Sequence, residues 1–285
     1  PLLEGLRACG VPAEQVTLLV ATGTHHPLTD EEIWALCDGR VREAGVRVRS
    51  HDAAERIGLV WAGNTRAGVD VWVDRVYAEA HLRILTGLVE PHFMAGASGG
   101  RKSICPGLLD VQSVRDFHGP HMVASESIGD LRLQGNPCHE AALEIASLVP
   151  PHLILNVTMS PGGGVAGVFA GEMEAAHEAA VEHLRGFAEI RLDRRYDIVI
   201  THGAGVGINH YQVSKAMGSA APAVREGGYL VVAADTTDSD PVGSASYRRL
   251  LAMLARLGPE RLEAAMMSTE WEFVQDQWAV QMFAR

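Results

Sequence analysis

Apolar positions along this chain recur with two alternating periods, a short one of about two residues and a longer one of about 3.6. Val16-Thr17-Leu18-Leu19-Val20-Ala21 is a short apolar run closed by Thr22-Gly23-Thr24, the pattern of a buried strand followed by a turn. Thr29-Asp30-Glu31-Glu32 then opens a helix predicted to reach about Ala44, with Thr29 as N-cap and Glu32 three residues on in a capping box. Residues 46–50, 69–73 and 82–86 read as strands, the last running through Gly87 toward Pro91. Helices are predicted over about 110–123 and 138–148, the second begun by Asn136-Pro137. Residues 153–158 and 165–169 read as strands and 172–188 as a helix. After Arg191 the pattern restarts with a strand at 196–200, a helix at 210–221, a strand at 229–234 and a helix at 247–257.

Strands alternating with helices of this length predict an α/β protein with mainly parallel sheets and right-handed crossovers. The restart places a boundary near Arg191, giving units 1–190 and 191–285. In open α/β sheets ligands bind beyond the carboxyl ends of the strands. Three polar, glycine-bearing clusters fall there: residues 22–26, residues 90–92 with 96–102, and residues 201–205. They predict one crevice.

Composition narrows the class. Hydrophobic residues make up 47% and charged residues 21% of the 285, so a sizeable core is expected. The formal net charge is −11 and no Lys/Arg cluster is present, which argues against nucleic acid as a partner. An anionic ligand therefore needs local Arg, Lys or His. Cys9, Cys37, Cys105 and Cys138 form no CxxC pair, and reduced thiols in a cytoplasm are the expectation. No apolar run approaches the length of a membrane span and no signal peptide is visible. The chain starts at Pro1 in a helical pattern and stops at Arg285 in another, 278–284, so it reads as a fragment cut at both ends.

The densest chemistry lies from Gly87 to Gly107, where glycines, serines, Arg101 and Lys102 crowd together. Such a loop brings backbone N–H groups toward an anion, or is simply a glycine-rich turn between strand and helix. A Walker A reading fails because Arg101 stands where glycine must precede Lys102, and Gly96, Gly99 and Gly100 do not have the spacing of a dinucleotide fingerprint. His25 and His26 follow a strand and a small-residue turn, as proton-transfer groups, surface histidines or helix caps. His118, by itself, reads as a helix-end histidine ahead of a metal ligand. There is no HExxH and no GxSxG, so a zinc site built from protein ligands alone and an α/β-hydrolase both lack support.

Taken in order, several segments resemble the nickel-dependent lactate racemase family. They are Ala21-Thr22-Gly23-Thr24-His25, Pro91-His92, Ala95-Gly96-Ala97-Ser98-Gly99-Gly100-Arg101-Lys102, Cys105-Pro106-Gly107, His118, Asn136-Pro137, Val168-Phe169-Ala170-Gly171 with Ala176-His177, and Tyr211-Gln212-Val213-Ser214-Lys215. The resemblance implies two α/β domains with the active site in the cleft between them, and an isomerase acting on a 2-hydroxy acid. It implies a nickel pincer nucleotide cofactor (pyridinium-3,5-bisthiocarboxylic acid mononucleotide) linked to the residue matching Lys102, with Ser98, Gly99 and Gly100 beside it. It assigns the nickel ligand to His118, the acid/base pair to His25 and His92, and substrate contacts to Gln212, Lys215 and Trp278, the last preferred over Trp271. It also implies cofactor-synthesis proteins as partners and a small-molecule substrate, while charge and hydropathy leave no expected role for nucleic acid or membrane.

The chain departs from the family pattern in three places. The Thr-Arg-Pro motif that precedes the first helix in the family is absent, His26 stands where Arg often follows the first histidine, and residues 203–209 lack the family's Pro and Asp. The last departure leaves the 2-hydroxy acid open, with lactate one candidate. Two other readings remain: a non-catalytic nickel or nucleotide-cofactor binding protein, and a metal-dependent hydrolase or lyase on the same fold.

Overall fold

A computed structural model describes residues 1–284. Helix α1 (Leu2–Ala8) leads into strand β1 (Thr17–Val20), which the Thr22 turn follows as the apolar run predicts. The capping box forms, with the Thr29 N–H donating to Glu32 at 2.8 Å and the Glu32 N–H to the Thr29 hydroxyl at 3.3 Å. The single helix expected to Ala44 is two helices, α2 (Asp30–Leu36) and α3 (Gly39–Glu43), because Asp38 caps a new start on the Arg40 N–H. Strand β2 (Arg47–Ser50) pairs in parallel with β1.

An antiparallel hairpin follows, β3 (Leu59–Asn64) against β4 (Asp70–Asp74); its first strand was not among those predicted. Next come α4 (Arg75–Ala78), β5 (Ile84–Leu88) and a two-residue pairing of β6 (Pro91–His92) with β7 (Gly96–Ala97). The helix expected over 110–123 is also two, α5 (Val111–Phe117) and α6 (Pro120–Val123). Pro120 has no N–H to continue the ladder, so His118 becomes the C-cap of the first helix rather than a mid-helix side chain. Helix α7 (Pro137–Leu148) begins at Asn136, and β8 (Leu153–Met159) pairs in parallel with β5 and antiparallel with β9 (Val165–Gly171). Helix α8 (Met173–Ala188) packs on this sheet.

The rest of the chain has β10 (Tyr196–His202) parallel to β11 (Val224–Ala233), with α9 (His210–Ala220) between them as the crossover. Helices α10 (Ala245–Leu257), α11 (Pro259–Met266) and α12 (Gln277–Phe283) complete it. The class is α/β, with parallel pairs β1–β2, β5–β8 and β10–β11 and short antiparallel hairpins beside them.

The largest hydrophobic cluster gathers Val71, Val73, Leu85, Ile104, Leu109, Phe117, Ile145 and Ile154 around β4, β5 and the helices below the glycine-rich loop. A separate cluster holds Tyr247, Leu250, Leu262, Met266, Ala279 and Val280. Trp278 on α12 packs against both. The Gln281 amide donates to the Pro120 carbonyl at 2.8 Å, so α12 ties the C-terminal helices to α6.

One buried polar pair anchors the strand ends. His51 Nδ1 lies 3.0 Å from Asp74 Oδ2 and its Nε2 lies 2.9 Å from the Leu109 carbonyl, with both residues almost fully buried. Asp74 also caps α4 through the Val76 N–H at 2.9 Å. Asp74→Ala strips a buried histidine of its acceptor and a helix of its cap, a loss expected to cost about 3–5 kcal/mol. Urea unfolding checks this, and a change under about 1 kcal/mol would show that the pair contributes little.

Candidate active site

The site assembles at strand ends. Beyond β1, the Thr22 hydroxyl donates to the His51 carbonyl at 2.7 Å and the Gly23 N–H to the Gly107 carbonyl at 2.9 Å. Gly23 has φ +58, and a Cβ there would sit 3.3 Å from the Pro106 carbonyl, so glycine lets the first turn lie directly against the segment after Lys102. This turn carries His25, whose exposed ring makes no hydrogen bond among the described residues. His26 Nδ1 instead faces the Pro27 carbonyl at 2.6 Å.

Beyond β5, the Glu90 N–H donates to Ser98 Oγ at 2.8 Å, and that hydroxyl donates to the Leu88 carbonyl at 2.8 Å. The Gly100 N–H donates to the buried Asn156 side chain at 2.8 Å. A Cβ on Gly99 would lie 2.8 Å from Val89, and one on Gly100 would lie 2.8 Å from the His177 ring. In this structure Ser98, Gly99 and Gly100 lash the loop to β5, β8 and α8, and the tight turn over residues 100–103 then presents Lys102.

The whole chain has two lysines, Lys102 and Lys215, among its 24 basic residues, and both reach this place. Withdrawal from water, then the neighbouring Arg101 and Lys215 cations, pull the Lys102 amine down to about 7. Burial lowers Lys215 as well, with Glu90 opposing. Burial and the charges of Lys102, Lys215, His118 and Arg101 hold His92 well below the usual histidine range. His118 falls to about 4, chiefly through burial, with Lys102 and His25 adding to the shift. Burial disfavours the protonated forms first and the neighbouring cations second, and the cations of Arg101, Lys102 and Lys215 face the one carboxylate of Glu90 among the described residues, so the site is short of negative charge within a chain that carries −11 overall. An anion entering would relieve that deficit.

His118 Nδ1 lies 2.9 Å from the Val114 carbonyl, which places the ring proton on Nδ1 and leaves the Nε2 lone pair free. Its ring lies 4.5 Å from the Trp278 ring and 5.0 Å from that of Phe117. Among the described residues no three His, Cys, Asp or Glu side chains gather closely enough to hold a metal. A metal on His118 would thus take its other donors from a carried group. His25, His92, Lys102, His118, Lys215 and Trp278 converge, and Gln212 sits one turn before Lys215 on α9.

A family model described as the lactate racemase N-terminal domain matches residues 1–129, and one described as the lactate racemase C-terminal domain matches residues 193–285. The chain belongs to the lactate racemase family. Lactate racemases of Lactiplantibacillus plantarum and Thermoanaerobacterium thermosaccharolyticum are 31% and 30% identical to it, over 100% of this chain and 66% of each relative. The chain thus spans a little under two thirds of these lactate racemases' length. The structure of the lactate racemase apoprotein from the second organism superposes with a TM-score of 0.86 at 28% identity, covering 95% of this chain and 64% of that one. A crystal structure of a Thermotoga maritima protein shares the fold, with a TM-score of 0.65 at 17% identity.

Some groups around the family motifs escaped the sequence reading. Arg101 entered it without a role of its own, yet it is completely buried with its guanidinium on the Ala95 and Ala97 carbonyls at 2.5 and 3.0 Å. Asn156, which holds the glycine turn, carries no local signal at all, and His177 beside it was only part of a resembling segment with no role assigned; a buried polar side chain looks like an exposed one in sequence.

Proposed function

We propose that this protein is a racemase or epimerase of a 2-hydroxy acid, working with a nickel pincer nucleotide held by Lys102 and His118. The observation that carries this reading is the meeting of the chain's two lysines with His25, His92 and His118 at one place, close enough to act on one another's charge. The residues present fit the group. Lys102 is an amine depressed toward neutrality, as an acyl linkage needs, and His118 keeps a free Nε2 lone pair oriented by a backbone carbonyl. The group, when bound, supplies a hydride acceptor, which spares the substrate a high-energy carbanion.

Lys215 pairs with the substrate carboxylate, and Gln212, one turn earlier on α9, hydrogen-bonds to it. His25 and His92 share the hydroxyl group and its proton. Trp278 covers His118 and keeps water from the ring. The loop at 203–209, where the family's Pro and Asp are missing, leads into Gln212 and Lys215 and sets which hydroxy acid fits. Proteins that make and load the group are the expected partners, and the cytoplasm is the expected compartment; no helix among the described residues is long and apolar enough to cross a membrane.

Chiral chromatography of the full-length, cofactor-loaded protein against a panel of 2-hydroxy acids tests the proposal. Interconversion of the enantiomers or epimers of at least one is expected. No interconversion of any, with loading verified by mass, would overturn it.

A further inference from the structure

Helix α9 is anchored at both ends, and to different parts of the molecule. At its start the His210 and Tyr211 N–H groups donate to the Pro241 and Val242 carbonyls at 2.9 and 3.1 Å, and Tyr211 packs on the Tyr247 cluster. At its far end the Ser219 hydroxyl donates to Asp130, in the loop between α6 and α7. Among the described residues no cation pairs with Asp130, so Ser219 is its tie. Gln212, Lys215 and Ser219 follow one another at steps of three and four residues and form one stripe along the helix. The stripe that carries both proposed substrate contacts therefore ends on the hydroxyl that Asp130 holds.

The loop behind Asp130 is held in one shape. Leu131 has φ 60, left-handed backbone that leucine rarely adopts. Such a residue persists only where its surroundings over-determine it. The Leu131 N–H donates to the Gly96 carbonyl at 2.7 Å, its carbonyl accepts from the Arg185 guanidinium, and its side chain is buried with Val89, Ala97, Val181 and Leu184. Asn136 Nδ2 donates to the Arg132 carbonyl at 2.9 Å and to the Met94 carbonyl at 3.0 Å. A Cβ on Gly96 would lie 2.3 Å from the Arg132 carbonyl, so the loop presses directly on β7. The same loop thus grips the hairpin that carries His92 and the helix that carries Lys215. Phe93 links the two as well. Its ring stacks on His92 with centroids 5.0 Å apart, and a Cβ on Gly218, beside Ser219, would lie 3.6 Å from the Phe93 Cβ. The backbone strain falls next to the one residue of the loop that reaches α9.

We propose that Asp130 and Ser219 are positioning residues that set the span between Lys215 on α9 and His92 on the β6–β7 hairpin. That a substrate bridges these two groups rests on the racemase reading; the tie between loop and helix does not. In a 2-hydroxy acid the carboxylate is bonded to the carbon that bears the hydroxyl, so the groups holding carboxylate and hydroxyl must stand at one separation. A misplacement of about 1 Å costs up to roughly a hundredfold in rate. Releasing the far end of α9 lets the helix pivot about its anchored start, and Lys215, one turn from Ser219, moves further than Gln212.

Hydrogen exchange on the unloaded, full-length protein, followed by mass spectrometry of the peptides covering α9, reads the tie without any turnover. Ser219→Ala and Asp130→Ala are expected to exchange the last turn of α9 at least about tenfold faster than the wild type, with β10 unchanged. On loaded protein both are expected to lower kcat/KM for the hydroxy acid by roughly ten- to a hundredfold. Ser219→Thr keeps the hydroxyl and is expected to stay within about threefold of the wild type in both measurements. Unchanged exchange in Ser219→Ala overturns the proposal; Ser219 is an exposed helical residue, so this variant decides even if Asp130→Ala fails to fold. Faster exchange with kcat/KM within about threefold of an active wild type also overturns it, because the pair would then be a plain staple. So does a Ser219→Thr protein as impaired as Ser219→Ala. A wild type without racemase activity whose α9 still loosens in the variants would overturn the functional reading, and with it the bridged span, while the tie stands.

Discussion

His25→Ala is expected to lower kcat by roughly 10²- to 10⁴-fold without loss of the cofactor proposed above, the loss expected when a single proton-transfer group is removed. The expectation follows from where the turn after β1 puts the ring. It is exposed, makes no hydrogen bond among the described residues, and lies close enough to His118 to help depress it. His26, one residue on, is occupied with the Pro27 carbonyl, so His26→Ala is expected to leave turnover within about threefold. Initial rates on loaded protein, with loading measured by intact mass, separate the two effects. A His25→Ala protein with more than about a tenth of wild-type kcat would move the proton to another group.

Lys102→Ala is expected to abolish turnover, and with it any covalent adduct on the peptide that holds residue 102. The amine is suited to acylation because its environment keeps it neutral where an ordinary lysine is charged. With the value pulled down to about 7, protonated amine dominates below that pH and free amine above it, so acylation of the unloaded chain by a small amine reagent should rise with a midpoint near pH 7. Lys215 is the chain's one other lysine, which makes peptide mapping unambiguous. A midpoint above about 9 would show an ordinary lysine. A loaded, active Lys102→Ala protein would remove the anchor from the mechanism.

Much of the fold was legible because local chemistry and global structure agree. The Thr29 capping box, the Asn136 N-cap and the apolar runs of β1, β5, β8 and β10 all form close to where the sequence puts them. The losses have physical causes. Strand β3 went unseen because Gly63 and a register shift after Trp61 interrupt its alternation. Helix α11 starts at Pro259 after Gly258, a pair that reads first as an ending and only second as an N1 proline. The β8–β9 link of five residues is too short for a parallel crossover, so its antiparallel pairing was readable in principle. The residues that the resemblance assigns to the site, such as His25, His92, Lys102 and His118, could be named through motifs. Those that hold them, such as Arg101 and Asn156, were not, because burial is a property of the assembled chain.

Helix α12 gives the molecule a mechanical property. Trp278 belongs to both hydrophobic clusters and its ring lies against His118, while Gln281, about one turn on, is pinned to Pro120 at the start of α6. A rotation of the C-terminal helices against the sheet of β5 and β8 cannot leave that contact unchanged. It must slide the indole across the imidazole or drag the end of α5 with it. His118 is in effect geared to the relative attitude of the two cores, so a strain applied far out on α10 or α11 is transmitted to its ring.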